Sequence, residues 1–551
     1  MDSVKTSRHP IIPYLIILAA GFLAHGMLLL NDGKYMEGWF LEALIEFGNW
    51  EEVRRYWVQV GYPFQNWLHS IFVQVPIVPL RSLTFTWILL AALFQYKILI
   101  RFTPLTEKES LFVTIFALVW PFYHLLVWSV FASVLICWVL FYAGWYYYLC
   151  LKEKKSHPLL YLPALTLMFL SLTYPVFLTY HLAFLLIYAL SLWGYSIPSQ
   201  LGELKTRAIA FLKQNWIPAL MPFAFYILKN IFYPVTISYN KIHLFSLTSW
   251  LSIFKNFFRN LTEPIFSIFY SIPTFWFVMI PVLLAASFLL FKYFKSDPEP
   301  EGQQLALGMI GVGLILIVTL SITYGLVWKT VKIMSAKARY AFGANLAFSL
   351  VFLGGIHWLF NKFWSRKREL IQPVLYLVLT AMVLVDINFY AMWQARWART
   401  ASIIHNLKQQ APIPNANVYF LKDGFPLGVD TKVYASDFTL MMIEAWNQHQ
   451  YIGITPHYQR NESKIEAARR IVQIWEDKTL YFYGLVEQFN PKGCFAEVVV
   501  SPNKYHQEVL IGFRYLYLHL FKSDQMPMFL EDLTEVKIRP LNIDANNISC
   551  S

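Results

Sequence analysis

Asp32 lies in the stretch Asn31-Asp32-Gly33-Lys34-Tyr35-Met36-Glu37, two positions beyond an apolar run from about Ile11 to Leu30. A carboxylate in that place can act as general base toward an acceptor hydroxyl or amine, or hold a divalent cation. Gly33 lets another backbone approach closely beside it. Asp32 and Glu37 are the candidate catalytic acids. Glu42 and Glu46, spaced i,i+4, fit the solvated face of a helix. The plainer role for Asp32 is to cap a helix over 34–47.

The basic counterpart is the run from Val331 to Tyr340, which carries Lys332, Lys337, Arg339 and Tyr340. Arg offers a planar fork suited to phosphate oxygens and Lys a mobile point charge. Arg54, Arg55 and Lys255 can add to the same anion site. A lipid phosphate or diphosphate would sit between these groups, its tail among the helices. Contact with ordinary lipid headgroups is the simpler alternative.

Other chemistries lack their signatures. No HExxH, CxxC, GxSxG or P-loop pattern occurs. His69, His124, His181, His243 and His357 are too scattered for a metal pattern, and His25, His124 and His181 fit buried contacts between helices. Cys137 and Cys150 lie in apolar surroundings, whereas Cys494 and Cys550 can pair if their region faces an oxidising compartment.

These groups need elements to hold them, and those elements are mostly built for lipid. Of 551 residues 57% are hydrophobic and 14% charged, against roughly 25% charged in a soluble domain. Apolar runs suggest about eleven transmembrane helices, at 11–30, 82–100, 109–123, 125–149, 159–173, 176–194, 216–233, 265–291, 304–326, 343–361 and 371–391. The pairs meeting at His124 and at Tyr174-Pro175 can each be one broken helix instead. Ala24-His25-Gly26 resembles a cleavage site, but the apolar run continues past it, so the first segment reads as retained.

The formal charge of +12 fits Lys and Arg gathered in short loops better than nucleic acid. Lys5 and Arg8, Arg101 and Lys108, Lys152 to Lys155, Lys205 to Lys213, Lys292 and Lys295, and Lys362 to Arg368 all fall on one side of the eleven-span arrangement. The positive-inside rule makes that side cytoplasmic, with the N-terminus inside and the region after 391 outside. Amphipathic surface helices are expected at 34–60 and 240–260. Residues 392–551 read as a small extracytoplasmic α/β domain, with helices at 393–410, 438–446 and 463–475 and strands at 418–421, 480–485 and 497–500.

This layout is similar to that of the GT-C superfamily of integral-membrane glycosyltransferases, which includes protein O-mannosyltransferases and the aminoarabinose transferases of lipid A. Asn31-Asp32-Gly33 resembles the family's acidic motif by position, and Ala338-Arg339-Tyr340 resembles an Arg-Tyr element before a late transmembrane helix. The resemblance covers about the first 390 residues in layout, and short patches in sequence. It departs from the family in lacking paired acids at Asp32 and a WWDYG-type motif in the tail. It implies an inverting transfer of sugar from a polyprenyl-phosphate donor to a lipid, glycan or protein acceptor in a bacterial inner membrane. It also implies Asp32 as base, the Arg339 group on the departing phosphate, and no nucleotide site. A multi-span transporter is the rival reading; Asp386, near the end of the last span, is the internal acid it would use. A non-catalytic assembly protein for envelope polysaccharide is another, and would tolerate loss of Asp32.

Overall fold

The structure is a computed structural model and describes residues 11–35, 57–58, 63–72, 75–128, 131–174, 176–193, 201–234, 243, 246–293, 303–333, 336–363, 371–424, 435–448, 451–454, 494–505 and 507–541. Its helices are α1 (Ile12–His25), α2 (Pro63–Phe72), α3 (Ile77–Phe102), α4 (Glu107–Val119), α5 (Phe131–Glu153), α6 (Tyr161–Ser171), α7 (Val176–Leu192), α8 (Leu201–Gln214) and α9 (Trp216–Phe232). There follow α10 (Leu247–Tyr293), α11 (Gln303–Gly325), α12 (Ala344–Phe363), α13 (Ile371–Lys408), α14 (Ala435–Trp446), α15 (Glu508–Phe521) and α16 (Met526–Leu533). A four-stranded sheet of β1 (Ala416–Asp423), β2 (Ile452–Ile454), β3 (Cys494–Pro502) and β4 (Thr534–Leu541) completes the C-terminal part.

Among the described residues, six helices are long and apolar enough to cross a bilayer: Ile12–Leu30, Ile77–Phe102, Phe131–Glu153, Gln304–Gly325, Ala344–Phe363 and Ile371–Lys408. This is a helical membrane protein with a small C-terminal sheet. Every one of the eleven expected spans overlaps a helix, but length and composition qualify six. At 1.5 Å per residue, α4 and α6 are too short to cross roughly 30 Å of hydrocarbon unaided. The hairpins at His124 and Tyr174 are each two helices. In the first, α4 ends at Trp120 before Pro121 and the chain turns through a 3-10 segment, His124–Val127.

Local rules explain several of the boundaries. Thr106 and Glu109 form a reciprocal capping box at the start of α4. Gly21 lets α1 lie against Leu89 of α3 and Leu118 of α4, where a Cβ would overlap their side chains. From Leu247 onward the surface helix expected at 240–260 and the span expected at 265–291 are one helix, α10, with Pro264 inside it. Residues 205–213, expected as a basic loop, belong to the amphipathic helix α8.

The C-terminal part is not hung on a linker. The expected boundary at 391/392 falls inside α13, which continues to Lys408 and becomes the support for the sheet. Asn406 Nδ2 donates to Thr534 O at 2.8 Å and Gln410 Nε2 to Val536 O at 2.8 Å. Arg399 pairs with Asp423 at the end of β1, and Arg396 reaches Asp437 of α14 at 3.8 Å with both side chains buried. The sheet order is β2-β1-β3-β4, with β1 parallel to both β2 and β3, and β4 antiparallel to β3. The buried Glu497 of β3 faces Arg539 of β4 and accepts its Nε–H at 2.7 Å. The expected strands at 418–421 and 497–500 and the helix at 438–446 are present. Those at 480–485 and 463–475, and the pairing of Cys494 with Cys550, lie outside the described residues.

Candidate functional site

Asp32 sits where α1 runs out. After His25 the chain tightens into a 3-10 turn, Gly26–Leu30, and becomes extended at Asn31. The Asn31 side chain then folds over the following residues, its Oδ1 accepting from Gly33 N at 3.0 Å and from Tyr35 Oη at 3.1 Å. Arg81, at the start of α3 and fully buried, clamps the same segment from beneath. Its Nη2 donates to Gly33 O at 2.9 Å, its Nη1 to Leu126 O at 3.3 Å and its Nε to Asn31 O at 3.4 Å. A buried guanidinium thus satisfies the carbonyls on both sides of Asp32 and leaves the carboxylate to other groups.

Those other groups come from far along the chain. Gln394 Nε2 of α13 donates to Asp32 Oδ1 at 3.2 Å, and Tyr515 Oη of α15 donates to Oδ2 at 3.1 Å. Trp397 Nε1 in turn donates to Tyr515 Oη at 3.1 Å. His519, one turn along α15 and stacked parallel to Tyr515, places Nδ1 3.8 Å from Oδ2. Lys34 reaches Glu444 of α14 at 3.9 Å. Burial raises the Tyr515 phenol above its ordinary range and the Asp32 charge adds to that, so the phenol stays a proton donor. Burial likewise raises Tyr35. Gln394 and Tyr515, both uncharged donors, orient the carboxylate. Asp32 keeps 22% of its side-chain surface exposed, enough to meet another molecule.

The described partners of Asp32 are side chains from distant parts of the chain. Of the helix expected over 34–47 the structure describes Lys34 and Tyr35, which are not helical; Glu37, Arg54 and Arg55 lie outside the described residues. Among the described residues no group of three or more His, Cys, Asp or Glu side chains comes together. Among the described residues the Asp32 oxygens are met by hydrogen-bond donors, with His519 the neighbouring side chain of metal-ligand type, and no step is routed through a cation.

The basic element stands at the same end of the bundle. Residues 336–341 form a 3-10 turn against the 124–127 turn, with Arg339 Cζ 5.1 Å from the centre of the Tyr340 ring. Lys329, which sequence reading missed by starting the cluster at Val331, places Nζ 5.5 Å from the same ring. Burial lowers the Lys329 ammonium from 10.5 to about 7, with the Arg339 charge adding to the effect. The loop is pinned to α10 by Asn256, which donates to Lys329 O at 2.7 Å and accepts from Val331 N at 2.9 Å, and by Arg259 Nη1, which donates to Val331 O at 2.8 Å. Lys337 and Lys332 are exposed, and Lys255 is exposed beside the buried Asn256. The structure thus gathers Arg339, Tyr340 and Lys329 around one ring, with Lys337 on the same turn. Lys255 stays on the neighbouring helix, with no recorded link to the turn among the described residues.

His124 joins the two halves. Its Nε2–H donates to Ile333 O at 2.7 Å, while its Nδ1 accepts from Trp393 Nε1 at 3.0 Å. The Trp393 carbonyl accepts from Tyr35 Oη at 2.8 Å. Four groups therefore connect the basic loop to the Asp32 loop. The expectation of buried interhelical histidines is met: His25 bonds Tyr390 Oη at 2.9 Å and Leu118 O at 2.8 Å, and His181 bonds Pro218 O at 2.9 Å.

No protein-family model and no curated protein matches this chain.

Proposed function

We propose that the protein is a GT-C-like glycosyltransferase that moves a sugar from a polyprenyl-phosphate donor to an acceptor at the membrane surface. The observation that carries the reading is a part-exposed carboxylate held by neutral donors, linked through His124 to a ring flanked by Lys329 and Arg339. In the reaction Asp32 takes the proton of the acceptor hydroxyl or amine as the acceptor atom bonds to the anomeric carbon. The bond from that carbon to the phosphate oxygen breaks, and the phosphate leaves with the electron pair toward Lys329 and Arg339. Attack opposite the leaving group inverts the anomeric centre. On this reading the shorter helices complete eleven spans, the N-terminus is cytoplasmic, and the site faces outward from a bacterial inner membrane. The acceptor is a lipid, glycan or protein.

Purified protein in liposomes, given polyprenyl-phosphate-linked sugars, should release free polyprenyl phosphate in step with glycosylated acceptor. The Arg339 series tests the donor half of the site. Arg339→Lys retains the charge but loses the fork, so it should bind a polyprenyl phosphosugar more weakly than wild type and better than Arg339→Ala. Truncating a desolvated charge contact of this kind costs roughly 2–5 kcal/mol. Equal affinity in all three proteins would reduce the cluster to a headgroup contact.

Lys329 adds a pH dependence. Its folded-state value of about 7 lies below the 10.5 of the free side chain. Between those limits the unfolded chain binds more protons, so the cost of the charged form, full below about pH 7, fades as pH rises. Binding an anion requires the charged form. Affinity for a phosphodiester donor, whose own charge is constant here, should therefore fall as pH rises above about 7. Lys329→Gln should flatten that profile. A flat wild-type profile from pH 6 to 9 would remove Lys329 from the site.

One observation favours transport as a second reading. Asp386 is fully buried within α13, and neither of its carboxylate oxygens has a hydrogen-bond partner among the described residues. Acids at such depth are commonly functional. If the protein transports, Asp386→Asn should abolish flux in vesicles; if it transfers sugar, Asp386→Asn should leave transfer intact.

A further inference from the structure

Helix α15 carries two faces, and the sugar-transfer reading uses only one of them. Val509, Ile511, Gly512, Tyr515 and Leu518 are buried against the rest of the protein. The other face is apolar: Leu510, Tyr517, Leu520 and Phe521 are exposed, Phe521 at 73%. Their spacing places them on one stripe about 100° per residue around the helix, opposite His519. An apolar stripe of this size does not persist in water without a partner.

The depth of the helix identifies the partner. About 20 helical residues cross the hydrocarbon of a bilayer. Counted from Ile371, the start of α13, the boundary falls near Ala391. Gly512 of α15 is pressed against that residue: a Cβ on Gly512 would overlap the Ala391 carbonyl oxygen. The other end of the site gives the same level, because Asp32, bonded to Tyr515, follows the apolar segment Ile12–Leu30 by two residues. Lys522, exposed at the end of α15, suits the phosphate zone. A helix with this pattern at this depth lies in the membrane surface.

We propose that α15 is an interfacial membrane helix, its Leu510, Tyr517, Leu520 and Phe521 face immersed in the lipid surface while Tyr515 and His519 on the opposite side reach Asp32. The C-terminal part is then seated on the bilayer, in place of the soluble domain expected from sequence. A hydrophobic substrate reaching Asp32 from this side travels along α15 within the lipid. The assignment is independent of what Asp32 does.

The test uses the full-length protein in vesicles of phosphatidylethanolamine and phosphatidylglycerol, with a benzophenone amino acid placed singly at Tyr517, Phe521, Phe22 and Lys537. Phe22 is exposed on α1 and reports the lipid-facing surface; Lys537 is exposed on β4 and reports water. After irradiation, mass spectrometry should find phospholipid adducts at Tyr517 and Phe521 at levels comparable to Phe22 and several-fold above Lys537. Adducts at Phe22 alone would overturn the proposal. Cross-links from Tyr517 and Phe521 to a second copy of the chain, without lipid adducts, would also overturn it and make the stripe a protein interface.

Discussion

Asp32→Asn is expected to leave the protein folded in the membrane and to lower sugar transfer by about 10²-fold or more, the usual scale for a positioned base. The substitution keeps the volume of the side chain. Its oxygen can still accept from Tyr515, and the Gln394 amide can rotate to present its own oxygen to the new amino group. The charge and the proton-accepting capacity are lost. Donor affinity, which the proposal assigns to Arg339 and Lys329, should change little, so the defect belongs in turnover. Tyr515→Phe gives the comparison: it removes one orienting donor but keeps the base, and should cost far less than Asp32→Asn. Turnover assays on purified variants, alongside their donor affinities, separate these outcomes. Near-normal turnover in Asp32→Asn would leave the carboxylate with only the task of tying α15 to the first loop.

Arg81→Met should destabilise the protein by about 2–4 kcal/mol, because it strips three carbonyl oxygens of their donor in a buried place. Asn31 O, Gly33 O and Leu126 O converge on one guanidinium, and a thioether of similar length replaces none of these bonds. Arg81→Lys should recover only part of the loss, since one ammonium cannot match the three directions of the fork. Thermal unfolding of the detergent-solubilised protein should show melting temperatures in the order wild type, Lys, Met. Activity should fall with them, because the 31–33 backbone sets where Asp32 points. Equal melting temperatures would mean that water serves these carbonyls and that Arg81 does not hold the loop.

The sequence by itself determined the membrane class and placed a helix in each expected span. Hydrophobic runs are local and survive without knowledge of neighbours, so a helix overlaps each expected span. Asp32 stood out for its place between an apolar run and Gly33, and the Arg339 run because the expected topology puts it on the outer side, where the positive-inside rule does not call for it. Spans and termini were less legible: six helices meet the criteria for crossing, and the run through 391 concealed a helix that does not stop.

Only the tertiary structure decided what surrounds the carboxylate. Gln394, Tyr515 and His519 are separated from Asp32 by most of the chain, and no spacing rule connects residues that meet through the packing of α15 on α13. Arg81 directly precedes the span expected at 82–100; that it turns inward to three carbonyls depends on where the 31–33 and 124–127 turns come to rest. Lys329 was missed for a related reason, since its altered ionisation comes from burial beside Arg339 and not from its neighbours in sequence. Hydrophobic periodicity is a property of each segment alone, whereas a site is a property of their packing.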